Sequence, residues 1–394
     1  MIAALWPHTR HHLLVALLVA SAAVVLKYWG LLGVLEVASL RVVMQAQLAP
    51  PPAPANDVPA WHPVVLLITD EMYETHLGEA SPLNREKLAE WLHKITLGAP
   101  APPATLVIDL DLSPGPEAAT YRPGQQRLDA LLAQIAAQGS TRLILMVPFP
   151  VATSALAEVK FNWMAALCEE GKKKPALPGG RPRLEFAHAE APVTAGLALR
   201  YARGWYSLGV AAADHDASIE RPCDVVAKGR EKTLFLRRQS APSPASVVGL
   251  MPINVRGLAL PEAALVALDN PPTGLAGRTV FVGAAYGQRD VVATPFGLRN
   301  GVEVHAATYF SVREPVRPLS EWIGFPLEVA LGLALGFLFA WSWGVYEKAA
   351  RASGTGLLAY TRARGWLLLN LALAAAVCYG ALVVSARLFP HNQS

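Results

Sequence analysis

The stretch from Gly277 to Ala306, GRTVFVGAAYGQRDVVATPFGLRNGVEVHA, is the most informative part of the sequence. Its first part, Thr279 to Val282, is a short run of β-branched and aromatic residues, which is typical of a buried strand. The strand is predicted to end at Gly283, where small residues let the backbone approach another segment closely. The start of this stretch is therefore predicted to be a central strand with a crowded carboxyl end.

The second part of the stretch predicts a polar loop and a new element. Asp290, the pair Thr294-Pro295 and Gly297 are typical turn and loop residues. Gly301 to His305 then leads into a helix or a strand, and a long apolar segment follows soon afterwards. We expect this stretch to couple a folded domain to a lipid bilayer.

The composition points to membrane content. The chain has 394 residues, of which 53% are hydrophobic and only 16% are charged, whereas globular domains carry about 25% charged residues. The net charge of +4 is dispersed along the chain and gives no sign of nucleic-acid binding.

Three apolar segments are predicted to be transmembrane helices, at residues 13–33, 322–346 and 366–384. A cleaved signal peptide is the alternative for the first segment, but its hydrophobicity continues past the candidate cleavage site. The 347–364 loop carries four basic residues against one acidic residue. The positive-inside rule therefore predicts that this loop is cytoplasmic.

This topology fixes the remaining regions. Residues 1–12 are expected in the cytoplasm, residues 34–318 form a domain in the periplasm, and the 385–394 tail lies outside. The expected location is thus the inner membrane of a bacterium. Within the membrane, the charges of Lys27 and Glu328 are predicted to face each other or the interface, because an unpaired charge is costly there. Gly332 and Gly336 are spaced for close helix packing.

Apolar strands and amphipathic helices alternate in the middle region. Strands are predicted at residues 64–69, 105–110 and 142–147, with helices at 83–97 and 127–138 between them. This alternation predicts an α/β fold with a doubly wound, mainly parallel sheet that is flanked by helices.

Several motifs resemble those of the CHASE2 domain family. One is the Gly-Ala, Asp, Thr-Pro-x-Gly, Gly-Val-Glu-x-His-Ala pattern of the opening stretch, and another is WYSLGVAAADHDASIER at 205–221, where Ala217 replaces the usual Gly. The resemblance implies structural roles for the motif residues. These are Gly209, Asp214, Asp216, Arg221, Gly283, Asp290, Thr294, Pro295, Gly301, Glu303 and His305.

The same resemblance implies an extracytoplasmic sensory module. In that family the domain passes an external cue to a cytoplasmic output, and we expect no such output domain here. The sequence therefore predicts a non-enzymatic sensor or accessory subunit that works through another membrane protein or a homo-oligomer. The partner would contact the transmembrane helices and the periplasmic domain. A structural assembly subunit without a ligand is an alternative.

A ligand would bind at the carboxyl edge of the predicted sheet. The candidate ligand-facing residues there are Asp70, Arg85, Asp109 and Asp111. A second alternative function is a membrane-tethered phosphohydrolase, since Asp109 and Asp111 resemble an Asp-x-Asp phosphatase loop. No cofactor, metal site or nucleic-acid partner is predicted; a small-molecule ligand remains open.

Two of the three cysteines, Cys168 and Cys223, fall in the predicted exported domain. In an oxidising periplasm they either form a disulfide or remain buried thiols. The sequence does not decide between these states.

Overall fold

The computed structural model describes most of the middle region of the chain. The described residues are 62–79, 83–115, 122–138, 140–148, 154–178, 180–190, 193–194, 197–202, 205–213, 221–227, 249–253, 265–272, 274–287, 290–294, 297–315 and the isolated positions 344, 347, 348, 365 and 369. The chain divides into two compact units, one of residues 50–316 and one that combines residues 1–49 and 317–394. Nearly all described residues belong to the first of these units.

Among the described residues, no helix is both long and apolar enough to cross a membrane. The predicted spans at 13–33, 322–346 and 366–384 lie outside the described residues, apart from positions 344 and 369. The predicted membrane contacts lie outside them as well, namely those of Lys27, Glu328, Gly332 and Gly336.

The strands fall into one large and two small sheets. In chain order they are β1 (Val64–Ile68), β2 (Thr105–Asp109), β3 (Arg142–Met146), β4 (Leu184–Ala187), β5 (Val193–Thr194), β6 (Leu197–Ala202), β7 (Trp205–Tyr206), β8 (Gly249–Pro252), β9 (Leu265–Ala267), β10 (Thr279–Ala284), β11 (Val291–Thr294) and β12 (Gly297–Asn300).

The described helices range from one turn to five. They are α1 (Asp70–Thr75), α2 (Arg85–Ile95), α3 (Arg122–Gln138), α4 (Ser154–Lys172), α5 (Leu208–Ala212), α6 (Pro222–Ala227) and α7 (Gly301–Arg313). α4 was not predicted, and its last turn covers the start of the basic stretch at 169–183.

The large sheet has six parallel strands in the order β4-β3-β2-β10-β1-β9. The predicted α/β class, with a parallel sheet flanked by helices, is confirmed. The last of these strands in sequence, β10, lies between β1 and β2. From β1 the chain therefore continues to β2, which is two positions away in the sheet, and β10 later fills the position between them. The carboxyl ends of these three strands form the centre of the sheet edge. Open α/β sheets bind ligands at such reversals of strand order.

Two apolar layers cover the two faces of this sheet. Leu66 and Ile108 belong to the layer that contains α2, α3 and α4. Val65, Val107 and Phe281 belong to the layer that contains α5 and α7. Because both faces are buried, the strands appear in the sequence as continuous apolar runs and not as alternating ones.

Cys168 in α4 and Cys223 in α6 form a disulfide, with their Cα atoms 5.4 Å apart. Both cysteines are buried against the same layer of the core. The bond closes a loop with a sequence separation of 55 residues, and in the chain-entropy model such a loop contributes about 4 kcal/mol to stability. It fixes α6 to the α4 side of the sheet.

Candidate functional site

Helix α7 lies against the centre of the sheet through contacts that only glycine permits. A Cβ atom on Gly283 would lie 2.5 Å from Cβ of Val302 in α7. A Cβ atom on Gly209 in α5 would meet the His305 carbonyl oxygen and lie 2.8 Å from Cβ of Thr308. The backbones of β10, α5 and α7 are therefore packed too closely for any larger residue at these two positions.

Further contacts fix the same helix. Thr279 at the start of β10 donates a hydrogen bond to the Tyr309 hydroxyl at 3.2 Å. At the N-terminus of α7, the Glu303 carboxylate accepts a hydrogen bond from the Asn300 backbone N–H at 3.2 Å, as in a capping box. Its other oxygen lies 3.3 Å from the Arg299 guanidinium. α7 is thus the element that the sheet centre and its own cap position together.

Asp109 and His305 meet beneath α7 at the carboxyl edge of the sheet. Asp109 ends β2 on the same face as Val107, so its side chain points toward α7. Its Oδ2 atom lies 3.8 Å from Nε2 of His305, and the two side chains are 7% and 1% exposed. Nε2 of His305 also lies 3.0 Å from the Ala189 carbonyl oxygen. A carbonyl only accepts, so Nε2 carries the proton of this hydrogen bond.

Asp290 lies at the outer side of this pair, against the first residue of α7. The Gly301 N–H donates to the Asp290 carbonyl oxygen at 2.8 Å, and a Cβ atom on Gly301 would lie 2.5 Å from Oδ1 of Asp290. Asp290 is exposed as a whole residue. Its carboxylate is nevertheless covered on the side that faces Gly301.

Burial controls the protonation of these groups. It raises the pKa of Asp109 to about 7 and lowers the pKa of His305 to about 4. The pKa of Asp290 is raised to about 6, mainly by desolvation and then by the Asp109 charge. The buried pair therefore favours a neutral imidazole beside a protonated carboxyl group at mildly acidic pH.

A second polar group lies on the opposite face of the sheet at the same edge. The buried Arg85 guanidinium donates to the carbonyl oxygens of Asp111 and Ser113 at 2.8 and 3.4 Å. The Asp111 carboxylate pairs with Lys160 of α4 at 2.7 Å and accepts hydrogen bonds from the backbone and the hydroxyl group of Ser113. These contacts neutralise Asp111 and order the loop after β2.

The loop after β10 lies between the two polar groups. Tyr286 stacks on Tyr73 with ring centroids 4.2 Å apart, and the Gly287 N–H donates to Oδ1 of Asp70 at 2.9 Å. Burial raises the pKa of Tyr286, with Tyr73 and Asp290 raising it further and Arg85 opposing them. This loop therefore connects the Arg85 side of the sheet edge electrostatically to the Asp290 side.

The four candidate ligand-facing residues lie at one edge but not in one site. Asp70 contacts the loop after β10, Arg85 and Asp111 contact each other, and Asp109 faces His305 on the other face. The two carboxylates of the phosphatase-like pattern thus contact different layers. Within the described ranges, no three His, Cys, Asp or Glu side chains form a group that could hold a metal ion.

The CHASE2 domain family matches residues 14–344. The chain belongs to this family. CHASE2 domains are extracytoplasmic sensory domains, which fits a domain in the periplasm. No curated protein and no solved structure matches the chain.

Six of the CHASE2 motif residues converge on α7. Gly209, Gly283 and Gly301 make the close contacts described above, Asp290 contacts Gly301, Glu303 caps the helix, and His305 faces Asp109. The geometry of this CHASE2 chain thus gives these residues packing and capping contacts.

The other CHASE2 motif residues lie away from that helix interface or outside the described residues. Arg221 lies 3.5 Å from Asp224, and the Thr294 hydroxyl donates to the Gly297 carbonyl oxygen at 2.8 Å. Asp214, Asp216 and Pro295 lie outside the described residues.

Sequence reasoning missed two residues of the sheet edge. Lys160 belongs to α4, a helix that was not predicted. Tyr286 follows a glycine and two alanines, and nothing local marks it as an aromatic that will stack on Tyr73. Prediction of α4 from the sequence would have placed Lys160 on a helix that follows β3. The contact between Tyr286 and Tyr73 depends on the fold alone.

We expect Gly209→Ala to lower the free energy of unfolding by more than about 2 kcal/mol, because the new methyl group overlaps α7 backbone atoms. Gly180→Ala is the control, since Gly180 has open space and a φ of 75°; its loss should stay near 1 kcal/mol. Denaturant unfolding of the full chain measures both values. Equal losses would contradict the close packing of α5 on α7.

We expect Asp109→Asn to change the free energy of unfolding more favourably at about pH 8 than at about pH 5. The difference between the two effects should be on the order of 2 kcal/mol. The raised pKa of Asp109 means that wild-type stability falls as pH rises from about 4, the unfolded value, to about 7. Asparagine stays neutral and removes this loss. Thermal unfolding at the two pH values measures the difference, with Asp269→Asn as the control for losing a carboxylate elsewhere. An equal gain in stability at both pH values would contradict the raised pKa of Asp109.

Proposed function

We propose that this protein is a non-enzymatic extracytoplasmic sensor, or an accessory subunit of a membrane complex. It would pass a signal to another membrane protein or assemble with it. Membership of a sensory domain family supports the sensor part of this proposal. The partner and the direction of the signal are inferences from the position of α7.

The position of α7 is the observation that carries the proposal. This helix is packed against β10 and α5 through glycine contacts and ends at Arg313. Residues 314–321 alone separate it from the segment that is predicted to enter the membrane. A displacement of α7 at the sheet edge would therefore reach that segment through a short stretch of sequence.

The polar groups of the sheet edge favour a conformational role over chemistry. Asp111 is neutralised by Lys160, and Asp109 faces a neutral imidazole in a largely dry environment. Among the described residues, the two carboxylates contact partners in different layers of the core and do not face a common point. Such an arrangement is suited to holding one conformation until a ligand or a change of charge releases it.

A small-molecule ligand would enter at the loops that follow β1, β2 and β10. Asp111 and Tyr286 come from the loops after β2 and β10, and Tyr73 from α1 and Lys160 from α4 lie at the same edge, where the strand order reverses. Aromatic faces beside an ion pair suit a ligand with both an apolar and a polar part. A ligand that bridges the Tyr286 loop and α4 would change the position of the loop that leads to α7.

We expect the full-length chain, cross-linked and extracted in mild detergent, to carry a second membrane protein in a fixed ratio. Mass spectrometry of the purified complex identifies that partner. The Gly209→Ala variant should recover less of it, while Gly180→Ala should recover the wild-type amount. Recovery of the chain with copies of itself alone would instead support the structural assembly subunit, and recovery of a single chain would contradict both functions.

A further inference from the structure

Titratable groups from three segments meet under the first turns of α7. Asp109 comes from the end of β2, His305 from α7 itself, and Asp290 from the segment before β11. The first residue of α7, Gly301, rests on Asp290 through its backbone N–H and its Cα atom. The seating of this helix therefore depends on groups whose charge changes with pH.

The surrounding charged groups are engaged elsewhere or act weakly on this pair. His188 follows β4 and accepts a hydrogen bond from the Glu190 N–H at 3.0 Å, and a positive charge on His188 would lower the pKa of His305 further. Glu303 is held by Asn300 and Arg299.

The remaining neighbours leave Asp109 without a strong cation. Tyr286, in the loop after β10, interacts with Asp290, and α5 presents only Leu, Gly, Val and Ala to the cluster. Within the described residues, the His305 ring is thus the basic group that faces Asp109. The protonation state of Asp109 is therefore coupled to that of His305.

We propose that Asp109 and His305, with Asp290 at their solvent side, form a pH-responsive joint. The joint holds the N-terminal half of α7 on the sheet while Asp109 is protonated, and it loosens that half when Asp109 ionises. This inference rests on the proposed sensor function for its output, and it deepens that function by naming proton concentration as a stimulus.

The direction follows from the protonation of each group. Between about pH 5.5 and pH 8, Asp109 loses its proton inside the fold, whereas opening of the joint would expose it to water, where a carboxylate is readily charged. Opening is therefore favoured as pH rises. His305 acts in the opposite sense, because opening lets it take up a proton at the acidic end. The two together predict a several-fold rise in opening over this range.

Hydrogen–deuterium exchange of the full-length chain in detergent tests this joint. Peptides that cover residues 301–313 are compared at about pH 5.5 and pH 8, after correction for the intrinsic exchange rate. We expect protection of these amides to fall several-fold at the higher pH in the wild type. In Asp109→Asn the fall should vanish or reverse, because His305 is then the main titrating group. Asp269→Asn should behave as the wild type does.

Two results would overturn the inference. One is equal or greater protection of residues 301–313 at the higher pH in the wild type, a comparison that needs no variant to fold. The other is an undiminished fall in Asp109→Asn. If either occurs while the membrane partner is still recovered, the joint is wrong and the sensor function stands. If no partner is recovered but the pH response is intact, the joint stands and the proposed function is wrong.

Discussion

Helix α7 packs closely on the centre of the sheet, and the contacts at the sheet edge follow from this packing. β10 lies between β1 and β2, so the last described strand of the large sheet occupies its middle. α7 follows β10 after a short hairpin and returns across that strand. Gly283 and Gly209 remove the side chains that would hold the helix away. The close approach brings His305 to the end of β2.

This close approach also explains why a carboxyl group is buried there. Asp109 has the same orientation as Val107, into the layer of α5 and α7, where a charge is poorly solvated. A largely protonated side chain beside a neutral imidazole avoids most of that cost at mildly acidic pH. Local violations of the apolar pattern in a core tend to mark functional positions. Here the violation lies directly beneath the helix that leads out of the domain.

The sequence was sufficient for the fold class and for the first three strands of the large sheet, but not for the arrangement of the strands. Strands buried on both faces appear as apolar runs, so β1, β2 and β3 were predicted nearly to the residue. The insertion of β10 between β1 and β2 depends on contacts far apart in the chain, which no local pattern reveals. α4 was missed, and Lys160 with it.

The candidate ligand-facing residues show the same limit. Asp70, Asp109 and Asp111 lie at one edge of the sheet, because the carboxyl ends of the parallel strands that they follow share that edge. Which face each side chain takes depends on the pleat and on the helices that cover it. Asp109 faces α7, whereas Asp111 faces α4. The sequence left the pairing of Cys168 and Cys223 undecided for a similar reason, since the contact between α4 and α6 is a property of the fold.

A double-mutant cycle on Asp109 and His305 at about pH 7 tests most directly whether these side chains act as one unit. Asp109→Asn, His305→Gln and the double variant of the full chain would be unfolded by denaturant beside the wild type. The structure predicts a coupling free energy of about 1 kcal/mol or more, as is typical of buried side chains in contact. Changes that add to within about 0.3 kcal/mol would show that the two groups are independent and would contradict the account.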